Sequence, residues 1–241
     1  MTDQPIAPRD LDWHPPALTP RYRSSILRSP KHKPISYAPT ATELSGPTFG
    51  HDAIGPLDDD LIRNYAQSGA LALGPRIIVH GKLLDENGRG VPGKLIEVWQ
   101  ANAGGRYRHK KDGYLAPLDD NFGGCGRCIS GQDGSYSFRT IQPGPYPWPN
   151  GGNDWRPAHI HFSVFGDGFA QRLITQMYFE GDPHIALCPI VQTIPSQAAI
   201  DTLVARLDME ATIPMDIRAF RFDIVLRGAS ATVFENQMEG R

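Results

Sequence analysis

Cysteine is scarce in this chain: three residues, Cys125, Cys128 and Cys188, in a length of 241. A small, odd number excludes a disulfide framework. Cys125-Gly126-Arg127-Cys128 has CxxC spacing, but no second CxxC or Cys-His pair completes the four ligands of structural zinc. A redox CxxC opens a helix after a strand. This one lies among Gly123, Gly124, Gly126 and Gly131 and reads as thiols in a turn-rich loop. Excess charge is also lacking. The formal net charge is −2, which gives no electrostatic case for nucleic acid or an anionic membrane. No apolar run approaches the roughly 18 residues of a membrane helix. The opening Met1-Thr2-Asp3-Gln4-Pro5 has neither the charged nor the apolar region of a signal peptide. The expectation is a soluble, cytoplasmic protein.

What is abundant is turn chemistry, with 25 glycines and 22 prolines. Pro15, Pro16, Pro20, Pro30 and Pro34 forbid long helices in residues 1–55. Trp13, Tyr22, Ile26, Leu27 and Tyr37 make that stretch too apolar for a free tail. Residues 1–75 are therefore expected to form an extended arm with a short helix over 58–65, packed on the core or on a partner chain. From residue 76 the apolar period becomes two, the period of a strand. Strands are expected over 76–84, 94–100, 135–140, 158–165, 173–179 and 220–227, with Asp85-Glu86-Asn87-Gly88 as a turn. Ser196 caps an expected helix whose apolar face is Ile200, Leu203, Val204 and Leu207. The fold class is all-β: a β-sandwich of mixed and antiparallel sheets over 76–241, with long loops, the N-terminal arm and one or two short helices.

The residues that invite chemistry are His159-Ile160-His161. On a strand, positions i and i+2 share a face, so both imidazoles point the same way about 7 Å apart at the backbone. That suits one metal ion and ill suits a core. His14, His32, His51, His80, His109 and His184 are scattered and read as surface residues. A carboxylate among Glu180, Asp182 and Asp154 would complete a ferrous two-histidine, one-carboxylate site, but spacing distinguishes none of them. Tyrosines are the other candidates. Tyr146 sits in Pro143-Gly144-Pro145-Tyr146-Pro147-Trp148-Pro149, a stiff frame, and Tyr107 in Gly104-Gly105-Arg106-Tyr107-Arg108. A hard trivalent cation would ionise both phenols, whereas amphipathic packing at a core edge is the ordinary reading of each tyrosine. Arg156 stands three residues before His159 and suits an anion formed at a metal; Arg106 and Arg108 suit carboxylate partners.

Taken in order, three segments resemble the intradiol ring-cleavage dioxygenases: 98–107 (VWQANAGGRY), 140–147 (TIQPGPYP) and 155–161 (WRPAHIH). The likeness covers nearly the whole chain, including Leu18-Thr19-Pro20, Asp119-Asp120-Asn121-Phe122-Gly123-Gly124 and Tyr178-Phe179-Glu180-Gly181-Asp182. It implies a non-haem Fe(III) bound by Tyr107, Tyr146, His159 and His161. It further implies cleavage of protocatechuate (3,4-dihydroxybenzoate) with O2 to 3-carboxy-cis,cis-muconate, in aromatic catabolism through β-ketoadipate. Tyr146 matches a ligand that leaves the metal when substrate chelates it. Arg156 matches an arginine beside the substrate ring, and Gln176 a polar pocket residue. Trp148 matches a pocket wall, and Tyr22 a residue near the substrate carboxylate. The resemblance also implies a homologous α chain without the ligands, the αβ pairs building a larger symmetric particle. Pro149 departs from the pattern, standing where relatives often carry arginine. A homodimeric catechol or hydroxyquinol enzyme is disfavoured, because those open with a helical dimerisation domain and this chain opens with a Pro-rich arm. A β-sandwich binding module would suit 81–99 but needs neither two tyrosines nor an H-x-H.

Overall fold

A computed structural model describes residues 10–32, 54–166 and 172–233. Its centre is a two-layered β-sandwich. One sheet runs β4 (Ser135–Ile141), β1 (Arg76–Leu84), β10 (Ile217–Arg221) and β9 (Val204–Ile213). The other runs β3 (Cys125–Ile129), β2 (Leu95–Gln100), β7 (His159–Phe165) and β8 (Arg172–Phe179). Strand β9 belongs to both layers. Val204 and Ala205 lie parallel to Tyr178 and Phe179, and from Arg206 onward the strand runs antiparallel to β10. Short β11 (Ile224–Val225) lies parallel to β1, and β5 (Tyr146–Pro147) pairs with β6 (Trp155–Arg156) as a separate ribbon. Among the described residues no helix is long and apolar enough to cross a membrane.

The alternation read in the sequence sets the core. Ile77, Val79 and Leu83 of β1, Ile96 and Val98 of β2, and Ile160, Phe162 and Val164 of β7 point between the layers. Phe162 meets Phe138 of β4 edge-on, their ring centroids 5.9 Å apart, so the two sheets interlock there. Gln100 also points inward. Its side chain accepts from Thr140 Oγ1 at 2.8 Å and donates to the Ile141 carbonyl at 2.9 Å, which ties β2 to β4 with no buried group left unpaired on that amide. The opposite face of the second sheet is covered by a smaller apolar cluster, including Cys188, Val191, Ile194 and Leu203, against which Trp13, Tyr22 and Trp148 pack.

Four expectations are corrected. Residues 58–65 form successive turns rather than a helix. Neighbouring strands claim their backbone: Arg127 N donates to Asp58 O, Arg139 N to Asp59 O, and Leu61 N to Arg139 O. The CxxC is strand β3 rather than a loop. At an odd separation on a strand, Cys125 and Cys128 face opposite sides, one exposed and one buried, so they cannot share a ligand. The helix capped by Ser196, whose side chain accepts from Ala199 N at 3.1 Å, is α2 (Gln197–Asp201) and stops early. Val204 and Leu207 are in β9, because the edge of β8 offers Tyr178 N to the Leu203 carbonyl at 2.7 Å. The strand expected over 220–227 starts at Ile217 and breaks at Phe222-Asp223, where Asp223 Oδ1 accepts from Lys82 N at 2.9 Å. The remaining expected strands form within one residue of their expected bounds. In the arm, the described part holds one helix that was not expected, α1 (Arg23–Arg28); Tyr37 lies outside the described residues.

Candidate metal centre

The site lies on the face of the second sheet turned away from the core. His159 and His161 share that face of β7, as the i, i+2 spacing requires. Their rings sit edge to face, centroids 4.8 Å apart. Cross-strand pairing places Tyr178 beside His159, and Gln176 and Trp99 on either side of His161. Trp99 lies flat on the His161 ring, with 4.8 Å between centroids and 2° between planes. The Pro157 carbonyl is 2.6 Å from His159 Nδ1. A carbonyl only accepts, so that nitrogen carries the proton and Nε2 keeps its lone pair.

Two loops bring the tyrosines. Gly105 takes a left-handed φ of +82°, and a Cβ there would lie 2.3 Å from the Pro145 carbonyl oxygen. One at Gly144 would lie 2.5 Å from the Ala103 carbonyl oxygen. These bare contacts, with Gly144 N donating to Asn102 O at 3.0 Å, lay the Gly104-Gly105 turn against the Pro143-Gly144-Pro145 turn. Tyr107 and Tyr146 follow those turns and meet edge to face at 5.5 Å. Asp112 Oδ2 accepts from Tyr107 N at 2.8 Å. Arg106 and Arg108, expected to seek carboxylates, mainly brace this loop through carbonyls. Arg106 donates to Ala116 O, and Arg108 to Phe122 O and Asp119 O; one 3.8 Å ion pair to Asp120 is the only carboxylate contact described for either.

Four donor atoms therefore converge. Tyr107 Oη is 3.0 Å from His161 Nε2 and 3.4 Å from His159 Nε2, and Tyr146 Oη is 3.3 Å from His159 Nε2. Burial, then the nearby Arg156 cation, holds His161 down to about 3 and His159 well below the usual imidazole range. Both rings are neutral at pH 7. Burial raises Tyr146 and, more strongly, Tyr107, so neither phenol ionises without a cation beside it. Among the described residues, no group of three or more His, Cys, Asp or Glu gathers as a metal site. Asp154 and Asp182 are engaged elsewhere, the latter accepting from Ala158 N at 2.9 Å.

Known proteins share this architecture. Residues 44–228 match a family model described as Dioxygenase, and residues 7–40 one described as Protocatechuate 3,4-dioxygenase beta subunit N terminal. The chain belongs to the intradiol ring-cleavage dioxygenases. It is 49% identical to the protocatechuate 3,4-dioxygenase beta chain of Burkholderia cepacia over 95% of this chain and 97% of that one. It is 32% identical to the protocatechuate 3,4-dioxygenase alpha chain of Pseudomonas putida over 68% and 77% of the two chains. The crystal structure of hydroxyquinol 1,2-dioxygenase from Pseudomonas putida DLL-E4 superposes with a TM-score of 0.53 at 25% identity, covering 84% and 70%.

In this dioxygenase the other expected site residues cluster beside the donors. Arg156 pairs with Tyr146 across β5 and β6, and is buried. Its Nη2 donates to Gln176 Oε1 and, at 3.4 Å, to Tyr178 Oη. Trp148 lies under the Arg156 guanidinium at 5.8 Å, and Tyr22 meets Trp148 edge-on at 5.4 Å. An open cavity of about 830 Å³ is lined by Trp99, Tyr107, Tyr146, Trp148, Asp154 and His161, among others. Gln176 and Tyr178 are buried, and Tyr22 lies against Trp148, which lines the cavity. Trp99, Asp112, Pro157 and Tyr178 carry no sequence signal of their own as site residues; cross-strand register brings in two of them, and only a fold shows register. His14 was expected at the surface and is buried.

Proposed function

We propose that this chain is the metal-bearing β subunit of a protocatechuate 3,4-dioxygenase. It opens protocatechuate with O2 between the two hydroxylated carbons, giving 3-carboxy-cis,cis-muconate at a mononuclear non-haem Fe(III). The observation that carries this reading is the convergence of two phenols and two neutral imidazoles, linked by three phenol-to-imidazole distances of 3.0–3.4 Å. Tyr107, Tyr146, His159 and His161 fit ferric iron by donor chemistry. Phenolates are hard anionic donors, and neutral imidazoles add no charge, so net positive charge remains for an anionic substrate. A ferric ion held there would supply the Lewis acidity that ionises both catechol hydroxyls and so leaves the ring electron-rich enough to react with O2.

The protein's own groups prepare and complete that chemistry. The Pro157 carbonyl fixes the His159 tautomer, and Trp99 stops the His161 ring from turning. Tyr146 is half-buried on a ribbon stiffened by Pro145 and Pro147, so its side chain, not its backbone, swings aside for substrate and its Oη takes a substrate hydroxyl proton. Arg156, oriented by Gln176, places a buried cation against the ring carbons where negative charge develops. Trp148 forms the wall, and Tyr22 sits at the substrate carboxylate end.

The partner is a homologous α chain, consistent with the 32% identity to such a chain. Ile26 and Leu27 of the arm, 56% and 91% exposed, suit burial by it. We assign residues 1–75 to the arm and 76–241 to the catalytic unit, acting in the cytoplasm. Metal analysis and visible spectra before and after anaerobic protocatechuate test the proposal. The expected result is a wine-red, iron-containing protein whose phenolate-to-iron band shifts on substrate binding; a colourless, iron-replete sample overturns it.

A further inference from the structure

Asn150 is 3% exposed, and its side chain joins two parts of the chain about 127 residues apart. Its Oδ1 accepts from Arg23 N at 2.8 Å. Its Nδ2 donates to Arg21 O and to Asp154 Oδ2, each at 2.9 Å. Both amide protons and an acceptor site are thus used. The bond to Arg23 is the first N–H of α1, one of the orphan donors at a helix start. Tyr22, the residue before it, provides no side-chain cap. A residue of the pocket rim therefore caps the helix of the arm.

The rim in question is the tip of the β5–β6 ribbon, which carries Tyr146 on one strand and Arg156 on the other. Asn150 N donates to Trp148 O, and Trp148 N to Asp154 O, each at 2.9 Å. Gly151 and Gly152 follow, and at Gly152 nothing lies within 4 Å of where a Cβ would be. Among the described residues, Asn150 supplies the hydrogen bonds from this tip to the arm, beside the ring contact of Tyr22 with Trp148. Clamping Arg21 and Arg23 leaves Tyr22 between them, with its ring edge on Trp148, which in turn lies under Arg156.

Resting on the function proposed above, we infer that Asn150 is a positioning residue for substrate binding: it locks arm to rim so that Tyr22 and Trp148 form one fixed wall. It touches neither the metal donors nor Arg156. Its loss should thus weaken substrate binding while sparing the centre itself.

The test uses the iron-loaded enzyme co-produced with its α partner, as wild type, Asn150→Ala and Asn150→Asp. The aspartate is isosteric, keeps the acceptor for Arg23 N, and removes both donors, so it carries the test if the alanine variant does not fold. The expected result is an unchanged visible band and a KM for protocatechuate raised about tenfold, with kcat within about threefold. A folded variant with wild-type KM overturns the inference. So does parallel loss of the visible band and kcat, which would make Asn150 part of the scaffold alone. A wild-type enzyme that fails to cleave protocatechuate removes the proposed function and this inference with it; a cleaving wild type with unaffected variants removes only the inference.

Discussion

Gly105→Ala is the sharpest test of how the centre is assembled. The new methyl would lie 2.3 Å from the Pro145 carbonyl oxygen and 3.2 Å from Tyr146 Cβ. The two loops must part by about 1 Å to restore ordinary contact distance. The residue must also keep a φ of +82°, which an L side chain resists. Left-handed strain and overpacking together cost about 2–5 kcal/mol, or roughly 5–15 °C of melting temperature for a chain of this size. The same displacement separates Tyr146 from Tyr107, so iron content and the visible band should fall together. Gly104→Ala is the control: its Cβ would lie 3.3 Å from the Asn102 side-chain oxygen, with no positive φ. Calorimetry, metal analysis and absorption on the two variants read the difference. Wild-type melting and colour in Gly105→Ala would refute the claim that bare backbone contact sets the tyrosine pair.

Other outcomes follow from the same geometry. Tyr146→Phe should retain iron on the remaining three side chains, weaken the visible band and slow substrate chelation in stopped-flow measurements; unchanged binding kinetics would contradict the swinging ligand. Arg156→Lys keeps charge but loses the planar fork toward Gln176 and Tyr178. Its kcat should drop about tenfold to a hundredfold with iron content unchanged. Alkylation of the native protein should label Cys125 and spare Cys128 and Cys188, which are buried. Burial raises both thiols of the pair, and pushes Cys128 up to about 12, so Cys125 should label faster than Cys128 at pH 7 and at pH 9 alike. Mass spectrometry showing Cys128 modified in folded protein would count against the β3 assignment.

Periodicity carried most of the sandwich. Strands with clean alternation, such as Arg76–Leu84 and Leu95–Gln100, were legible because one face of each is buried and the pattern records it. Where periodicity failed, tertiary contact had overridden local preference. Ile200, Leu203, Val204 and Leu207 fit a helical stripe, yet β8 and β10 both offer unpaired edges beside Val204–Ile213, and satisfying two sheets outweighs continuing one helix. The acids of 58–65 suggested a helix start, but their carbonyls serve Arg127 and Arg139 instead. The CxxC glycines suggested turns. Gly126 is bare because Leu61 and the Asp58 carbonyl would lie 2.3 and 2.7 Å from its Cβ, not because the chain bends there.

The amino-acid sequence by itself determined the face shared by His159 and His161, since a strand has a period of two whatever surrounds it. It also determined, through resemblance of ordered motifs, the family and the four residues proposed as ligands. Only the tertiary structure decided that Tyr107 and Tyr146 reach those histidines. They lie 52 and 13 residues before His159, and nothing local fixes such distances. Two glycine turns pressed together do so, and they exist as a pair only once the sheets have packed. The same holds for Trp99 on His161 and for Asn150 between arm and rim. Register and long-range capping are properties of closed packing, which no single segment of sequence contains.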